Sequence, residues 1–216
     1  MMKMNAWDKI YEKHGIVEKG TLGIVKDAIP IFRKGGCHII LDLGCGTGRH
    51  SVFLARNRFD VIAQDYSDKA LEMLKEMIEK GKLDIRIVKN DMTKIDFSNN
   101  FFDGIIFTGV IHYAKINKIQ ETVKEILRVL RPRGILVMSC MSTKCSNYGT
   151  GEKIEKNTFV NVAGFSDDME EPKHFFEKAE IVQLLKDFDV LEVKDRAERD
   201  WYGNDLFFWD VIARKK

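Results

Sequence analysis

Short apolar segments alternate with amphipathic segments along most of the chain. Five apolar runs have the length and composition of buried β-strands, at residues 38–43, 60–65, 85–88, 104–111 and 134–140. Between them, apolar residues recur at the spacing of a helix face, as at Val123, Ile126, Leu127 and Leu130. Strands and helices that alternate in this way form right-handed βαβ units, with a parallel sheet between two helical layers. The pattern therefore predicts a doubly wound α/β domain.

Polar residues mark where several helices begin and end. Ser67 can cap a helix that ends near Gly81. Asn117 with Gln120 has the spacing of a capping box at the start of the next helix. A last helix is predicted from the apolar spacing of Ile181, Leu184, Leu185 and Phe188.

Two regions depart from the alternation. Residues 142–175 are rich in Ser, Thr, Asn, Gly and charge, and no element is predicted there. Because this segment follows the fifth strand, we expect it either to cover a ligand crevice or to be a flexible insertion. Residues 188–195 and 205–213 predict two antiparallel strands joined through Trp201-Tyr202-Gly203-Asn204.

Composition excludes several classes of protein. The 216 residues are 44% hydrophobic and 31% charged, with a net charge of +2, which is ordinary for a globular protein and disfavours a nucleic-acid partner. The four cysteines lack metal-site spacing, so we interpret them as reduced thiols and predict no metal. The opening segment is too polar for a secretory signal, and no apolar run approaches the roughly 20 residues that span a bilayer. These features predict a cytoplasmic protein without a membrane partner.

A glycine-rich turn follows the first predicted strand. Residues 41–49 read LDLGCGTGR, so the strand runs into a turn that opens the next helix. A dinucleotide site requires G-x-G-x-x-G, but Arg49 stands where its third glycine would be. Asp42 adds a carboxylate that would repel a pyrophosphate and would suit a ligand with an ammonium or sulfonium group. A nicotinamide or flavin site is therefore disfavoured.

An acidic residue ends the second predicted strand. Asp65 lies 21 residues after Gly44, where a carboxylate can accept hydrogen bonds from both hydroxyls of a ribose. The alternative is that Asp65 only caps the turn before Ser67. Because the glycine turn lies at the end of the neighbouring strand, the role of Asp65 in binding a nucleoside is favoured.

The order of these motifs resembles that of the class I S-adenosylmethionine-dependent methyltransferases, in particular the small-molecule branch of methyltransferase type 11 and type 25 domains. The resemblance covers residues 36–141 and rests on ILDLGCGTG at 40–48, DYS at 65–67, NDM at 90–92, FDGII at 102–106 and LRVLRPRG at 127–134. The antiparallel pair at the C-terminus is similar to the reversed last strand of that family. Segments 7–11 and 174–176 look like those of tellurite- and thiopurine-resistance-type enzymes.

The resemblance implies a mostly parallel seven-stranded sheet and S-adenosylmethionine as cofactor. It divides the single domain into an N-terminal helical cap (1–35), a cofactor-binding core (36–141), a substrate-side insertion (142–175) and the last helix with the C-terminal hairpin (176–216). The implied cofactor contacts, from the methionine end to the adenine end, are Asp42, Gly44, Cys45, Gly46, Val110, Asp65, Tyr66, Asp91 and Met92.

Within that set, the resemblance gives each carboxylate its own role. Asp42 would lie near the amino group of the cofactor, Asp65 would hold the ribose, and Asp91 would accept a hydrogen bond from the adenine amine. The residue before Asp65 is a departure, because Gln64 stands where the family more often has a small or apolar residue.

The implied activity is methyl transfer to a small molecule by in-line displacement. His112 after the fourth strand is the candidate proton acceptor, and its alternative role is structural. Tyr11, four residues after Trp7, either covers the cofactor or anchors the first helix. A noncatalytic S-adenosyl-ligand-binding protein, a protein or RNA methyltransferase and a homodimer stay open.

Overall fold

The computed structural model describes residues 5–16, 20–165, 171–199 and 205–216. The helices are α1 (Ala6–His14), α2 (Gly23–Lys34), α3 (Arg49–Arg56), α4 (Asp68–Gly81), α5 (Ile116–Val129) and α6 (Lys178–Leu184). The strands are β1 (Ile39–Leu43), β2 (Asp60–Asp65), β3 (Ile85–Lys89), β4 (Phe102–Thr108), β5 (Leu130–Met141), β6 (Glu152–Glu155), β7 (Thr158–Val160), β8 (Lys173–His174), β9 (Phe188–Arg199) and β10 (Asp205–Lys215).

Seven strands form one sheet in the order β3-β2-β1-β4-β5-β10-β9. The neighbours among β1 to β5 are parallel, whereas β10 is antiparallel to both β5 and β9. The predicted mostly parallel sheet with an antiparallel C-terminal strand is therefore confirmed. The predicted turn at Trp201–Asn204 lies outside the described residues. Because β1 has β2 on one side and β4 on the other, a crevice opens at the carboxyl ends of β1 and β4.

Helices cover both faces of the sheet, as the buried apolar strands predicted. On one face, side chains of α5 and α6 such as Ile126 and Ile181 pack on Leu41 and Leu43. On the other face, side chains of α2, α3 and α4 pack on Ile40. Since alternate residues of a strand point to opposite faces, Asp42 lies on the same face as Ile40 and contacts Ser51 of α3.

The sequence predicted the N-terminal caps of two helices, and the structure confirms one of them. The Ser67 hydroxyl accepts a hydrogen bond from the Ala70 amide at 3.1 Å, so the predicted cap of α4 is confirmed. The predicted capping box of α5 is wrong, because Lys115 occupies the N-cap position and no side chain caps it. Asn117 is already inside the first turn of α5.

Three predicted ends were also too long. Helix α5 was predicted to include Leu130, which instead begins β5. The fourth strand was predicted to reach Ile111 but ends at Thr108, because Gly109 adopts a φ of 74° and turns the chain out of the sheet. The last helix was predicted to include Phe188, which instead begins β9. The apolar spacing was ambiguous there because Phe188 is buried in the same core as Ile181.

The segment that follows β5 contains a second, smaller sheet, of order β6-β7-β8. Its own apolar cluster includes Cys145, Phe159 and Phe175. The His174 amide donates to the His112 carbonyl at 2.7 Å, so the small sheet is hydrogen-bonded to the loop that follows β4. In the described part of the chain, no helix is both long and apolar enough to cross a membrane.

Candidate active site

A cavity of about 250 Å³ opens at the carboxyl ends of β1, β2 and β4. Nine of the eleven predicted site residues line it, namely Tyr11, Gly44, Cys45, Gly46, Asp65, Tyr66, Asp91, Met92 and Val110. The other two, Asp42 and His112, do not. The sheet brings the nine together because the strand ends that precede them meet at one edge.

The glycine turn forms one wall of the cavity, and two of its positions cannot accept a side chain. Gly44 has a φ of 68°, and a Cβ there would lie 2.5 Å from Cγ2 of Val110. Gly46 has a φ of 54°, and a Cβ there would lie 2.7 Å from the Tyr11 hydroxyl. Because both positions lack a side chain, Val110 and Tyr11 close over the main chain of the turn.

Asp65 fixes the turn and still faces the cavity. Its Oδ2 accepts the Gly46 amide at 2.8 Å, and its Oδ1 accepts the Ser67 amide at 2.9 Å. Burial raises the pKa of this carboxyl, while the amide hydrogen bonds oppose that rise. Since each carboxylate oxygen can accept a second hydrogen bond, both oxygens can also bind ligand hydroxyls.

Asp91 lines the same cavity and is held in place by hydrogen bonds. Its Oδ1 accepts the Thr93 amide and hydroxyl, and its Oδ2 accepts Nζ of Lys118 at 2.8 Å. Burial would raise the pKa of Asp91, but these hydrogen bonds and the Lys118 charge bring it below its usual value. The carboxylate is therefore ionised at neutral pH. Lys118 also lines the cavity and was not predicted from the sequence.

Aromatic side chains form another wall. The Trp7 ring lies 5.1 Å from the Tyr113 ring at 82° and 5.7 Å from the Tyr11 ring, measured between centroids. Helix α1 is held in place by Asp8, whose carboxylate accepts the Ser67 hydroxyl at 2.6 Å. The first helix thus contributes rings to the cavity and is anchored to the start of α4.

Asp42 lies behind the glycine turn. It is 2% exposed, and the Ser51 hydroxyl donates to its Oδ2 at 2.5 Å. Burial raises its pKa to about 6. The pleat of β1 points this side chain toward α3, which is why its expected place beside a ligand amino group does not match the cavity lining.

His112 lies behind Tyr113 rather than on the cavity wall. Its ring centroid is 4.4 Å from that of Tyr113, and its Nδ1 has no hydrogen-bond partner among the described residues. Burial, with the nearby charge of Lys173, lowers its pKa to about 3. The geometry therefore brings Tyr113 to the cavity, and it does not bring His112 there.

A different histidine lines the cavity. Nε2 of His50 accepts the Leu22 amide at 3.4 Å, so the neutral ring must have its proton on Nδ1, which lies 3.2 Å from the Thr108 hydroxyl. Burial lowers the pKa of His50 to about 3, so the ring stays neutral. Thr108 thus accepts from His50 and keeps its own hydroxyl hydrogen to donate. The position of His50 at the start of α3, directly after the glycine turn, was the signal that could have identified it.

One cavity residue comes from the segment after β5. The Tyr66 hydroxyl donates to Oε1 of Glu171 at 3.1 Å, across 105 residues of sequence. Oε2 of Glu171 is buried without a hydrogen-bond partner in the part of the chain that the structure describes. Burial raises the pKa of Tyr66, so its hydroxyl remains a donor. No local pattern in the sequence indicated this contact.

Comparisons with known proteins give matches to methyltransferases. Residues 40–134 match the family described as methyltransferase domain. The chain is 27% identical over 204 residues to a probable S-adenosyl-L-methionine-dependent methyltransferase, TehB of Haemophilus influenzae, covering 90% of this chain and 62% of that protein. This chain spans 42% to 62% of the length of the first curated relatives.

Solved structures have the same fold. A SAM-dependent methyltransferase from Methanosarcina mazei superposes with a TM-score of 0.74 at 21% identity, covering 86% of this chain and 97% of that one. A 1,6-didemethyltoxoflavin-N1-methyltransferase from Burkholderia thailandensis, with bound 1,6-didemethyltoxoflavin and S-adenosylhomocysteine, gives 0.69 at 20% identity, covering 90% and 79%. Residues 40–134 thus resemble a methyltransferase domain, and the chain as a whole has the fold of these solved structures.

Proposed function

We propose that this protein transfers the methyl group of S-adenosylmethionine to a small-molecule acceptor. One observation supports this more than any other. The glycine turn, Asp65 and the Asp91–Met92 pair line one cavity. Their chemistry suits, in turn, an amino-acid chain, a ribose and a purine.

The residues present fit that cofactor. Gly44 and Gly46 line the cavity, and without a Cβ their main chain packs directly against Val110 and Tyr11, so the turn presents main chain to the methionine part. Asp65 has acceptor capacity left for both ribose hydroxyls, and Oδ2 of Asp91 can accept the adenine amine beside Lys118. Carboxylates at these places also suit a ligand with a sulfonium charge.

The cofactor, when bound, supplies both the methyl group and a good leaving group. The protein then has to hold the acceptor in line and exclude water, which can contribute several kcal/mol to lowering the barrier. Val110 and Tyr11 border the glycine turn where the methyl group would lie. Thr108, oriented by His50, would donate a hydrogen bond toward the acceptor.

This donor suggests the kind of acceptor atom. His50 has its proton on the side of Thr108 and a pKa of about 3, so it does not remove a proton from a ligand in the cavity. An acceptor whose attacking atom already has a lone pair at neutral pH needs no base. Participation of His112 would require the side chains around Tyr113 to move.

Two observations support a small acceptor. Glu171, from the segment after β5, lines the cavity and accepts a hydrogen bond from Tyr66, so a side chain of that segment forms part of the cavity wall. The Burkholderia thailandensis neighbour is a 1,6-didemethyltoxoflavin-N1-methyltransferase with 1,6-didemethyltoxoflavin and S-adenosylhomocysteine bound. A cytoplasmic location and a homodimer remain predictions.

Calorimetric titration with S-adenosylmethionine, S-adenosylhomocysteine and NAD tests the cofactor assignment. We expect both adenosyl ligands to bind and NAD not to bind. Asp65→Ala should weaken binding more than about tenfold, because two hydrogen bonds to a charged acceptor are lost. Asp189→Ala, which removes an acid of β9 paired with Arg214, is the matched control and should bind normally.

Binding of NAD alone, or an unchanged affinity in Asp65→Ala, would contradict the assignment. Transfer of a labelled methyl group to thiol, amine, phenol and carboxylate acceptors then separates an enzyme from a noncatalytic binding protein. A binding protein would retain S-adenosylmethionine without turnover on every acceptor.

A further inference from the structure

Gln64, the residue before Asp65, has a buried side chain with a defined orientation. It is 0% exposed, and its Nε2 lies 3.0 Å from the Asp91 carbonyl oxygen and 3.1 Å from that of Lys94. Carbonyl oxygens only accept hydrogen bonds, so the nitrogen of the amide must face them. Both hydrogens of the amide group are therefore used on one loop, residues 91–94.

The same orientation leaves the amide oxygen unsatisfied. Oε1 of Gln64 is buried and has no partner within the described ranges. An unsatisfied buried acceptor is destabilising, whereas an apolar side chain at this position would avoid that cost. The two hydrogen bonds from Nε2 to the loop offset this cost.

The main chain of Gln64 is hydrogen-bonded to the glycine turn. Its carbonyl oxygen accepts the Gly44 amide at 2.7 Å and the Cys45 amide at 3.0 Å. One residue of β2 thus connects the glycine turn, through its main chain, to the 91–94 loop, through its side chain. Asp65, between them in the cavity, is the next residue.

Other contacts hold the far end of that loop. The Ile95 amide donates to Glu125, and Arg128 donates to the Ile95 carbonyl, so residue 95 is attached to α5. The Lys118 ion pair and Thr93 act on the Asp91 side chain. From β2, the Asp65 carbonyl accepts the Asn90 amide at 3.1 Å, and the Gln64 amide group is the side-chain contact that holds the Asp91 carbonyl.

We propose that Gln64 is a positioning residue that sets base specificity, because it fixes the loop from which Asp91 and Met92 contact the purine. This inference rests on the proposed function. A 6-amino group donates to the Asp91 carboxylate, whereas the 6-oxo group of hypoxanthine is an acceptor and is repelled by it. Selectivity for adenosyl over inosyl ligands then depends on how firmly the Asp91 main chain is held.

The test measures the affinities of S-adenosylhomocysteine and S-inosylhomocysteine by calorimetry. In the wild type we expect the adenosyl ligand to bind more than about thirtyfold tighter. Gln64→Met retains the length of the side chain but removes the amide, and we expect this ratio to fall at least about fivefold. Gln64→Glu, which in its protonated form donates one hydrogen, should recover part of the ratio.

Trp209→Phe is the matched control, because it removes another buried side-chain hydrogen bond, from Nε1 to the Phe176 carbonyl. It should lower the melting temperature without changing the ratio. An unchanged ratio in both Gln64 variants would overturn the inference, even if their stability drops. If the wild type bound neither nucleoside, the proposed function itself would fail.

A measurement on the wild type does not depend on the folding of any variant. The Gln64 side-chain amide protons should exchange with solvent at least about tenfold more slowly than those of exposed glutamines and asparagines, because both are hydrogen-bonded in a buried place. Fast exchange of these protons would overturn the inference as well.

Discussion

The parallel half of the sheet and the segment after β5 contribute to the cavity in different ways. In the first region, from β1 to α5, the site residues predicted from the sequence lie at or just after strand ends, as Gly44 follows β1 and Asp65 ends β2. In the second region, Glu171 reaches the cavity through a hydrogen bond to Tyr66 across 105 residues. Residues placed by their own strand are recognisable from the sequence, and residues placed by a distant contact are not.

Two glycines with positive φ, one from each region, have different surroundings. Gly44 in the first region has a positive φ and lies against Val110. Gly149 in the second region has a φ of 79°, and a Cβ at that position would meet nothing within 4 Å. Both positions would be strained by alanine. Only in the first would the new Cβ also meet another side chain.

The largest expected effect therefore separates these two glycines. Gly44→Ala should weaken S-adenosylhomocysteine binding by about a hundredfold or more, since backbone strain and the Val110 clash both distort the turn. Gly149→Ala should cost about 1–2 kcal/mol of stability and leave binding within about twofold. Titration calorimetry with thermal unfolding measures both, and equal losses of affinity would remove the distinction between the regions.

The next effect compares two buried histidines, His50 of the first region and His112, which contacts the second. Their pKa is lowered to about 3, while an unfolded chain has about 6.5, so the unfolded state takes up protons first as the pH falls. Stability is fully present above pH 6.5 and is lost toward pH 3. At pH 4.5 each histidine should lower the free energy of unfolding by up to about 2–3 kcal/mol relative to neutral pH.

Guanidinium unfolding at pH 7.5 and 4.5 checks this dependence in His50→Gln and His112→Gln. Each variant should show a smaller loss than the wild type. Asp42 acts in the opposite direction, because its pKa is raised to about 6 by burial and the folded state holds its proton between pH 6 and 3.8. If both variants lost as much stability between pH 7.5 and 4.5 as the wild type does, neither histidine would be kept neutral in the folded state.

The smallest effect concerns two tyrosine hydroxyls. Tyr66→Phe removes the hydrogen bond to Glu171, which connects the regions, and should weaken S-adenosylhomocysteine about two- to fivefold. Tyr148→Phe removes a hydrogen bond to Asn157 that lies within the second region, at 2.8 Å, and should leave binding unchanged. A larger loss of affinity in Tyr148→Phe would mean that the small sheet, rather than the Tyr66 contact, controls the cavity.

The parallel sheet, the glycine turn and the acid at the end of β2 could all be predicted from the sequence. Each of these is visible in the order of residues along the chain: the strand period, the two glycines that adopt a positive φ at 44 and 46, and an acid at the end of the next strand. The same local rules fixed the cap of α4 at Ser67. They failed where two elements have the same apolar spacing, as at Phe188.

The tertiary structure decided which polar side chains face the cavity. The pleat of β1 turns Asp42 toward Ser51, and packing puts Tyr113 rather than His112 on the wall. Lys118 meets Asp91 across 27 residues, and Gln64 reaches the same loop from β2. These contacts follow from how strands, helices and loops pack against one another, and a hydrogen bond between distant residues has no local period that a sequence could display.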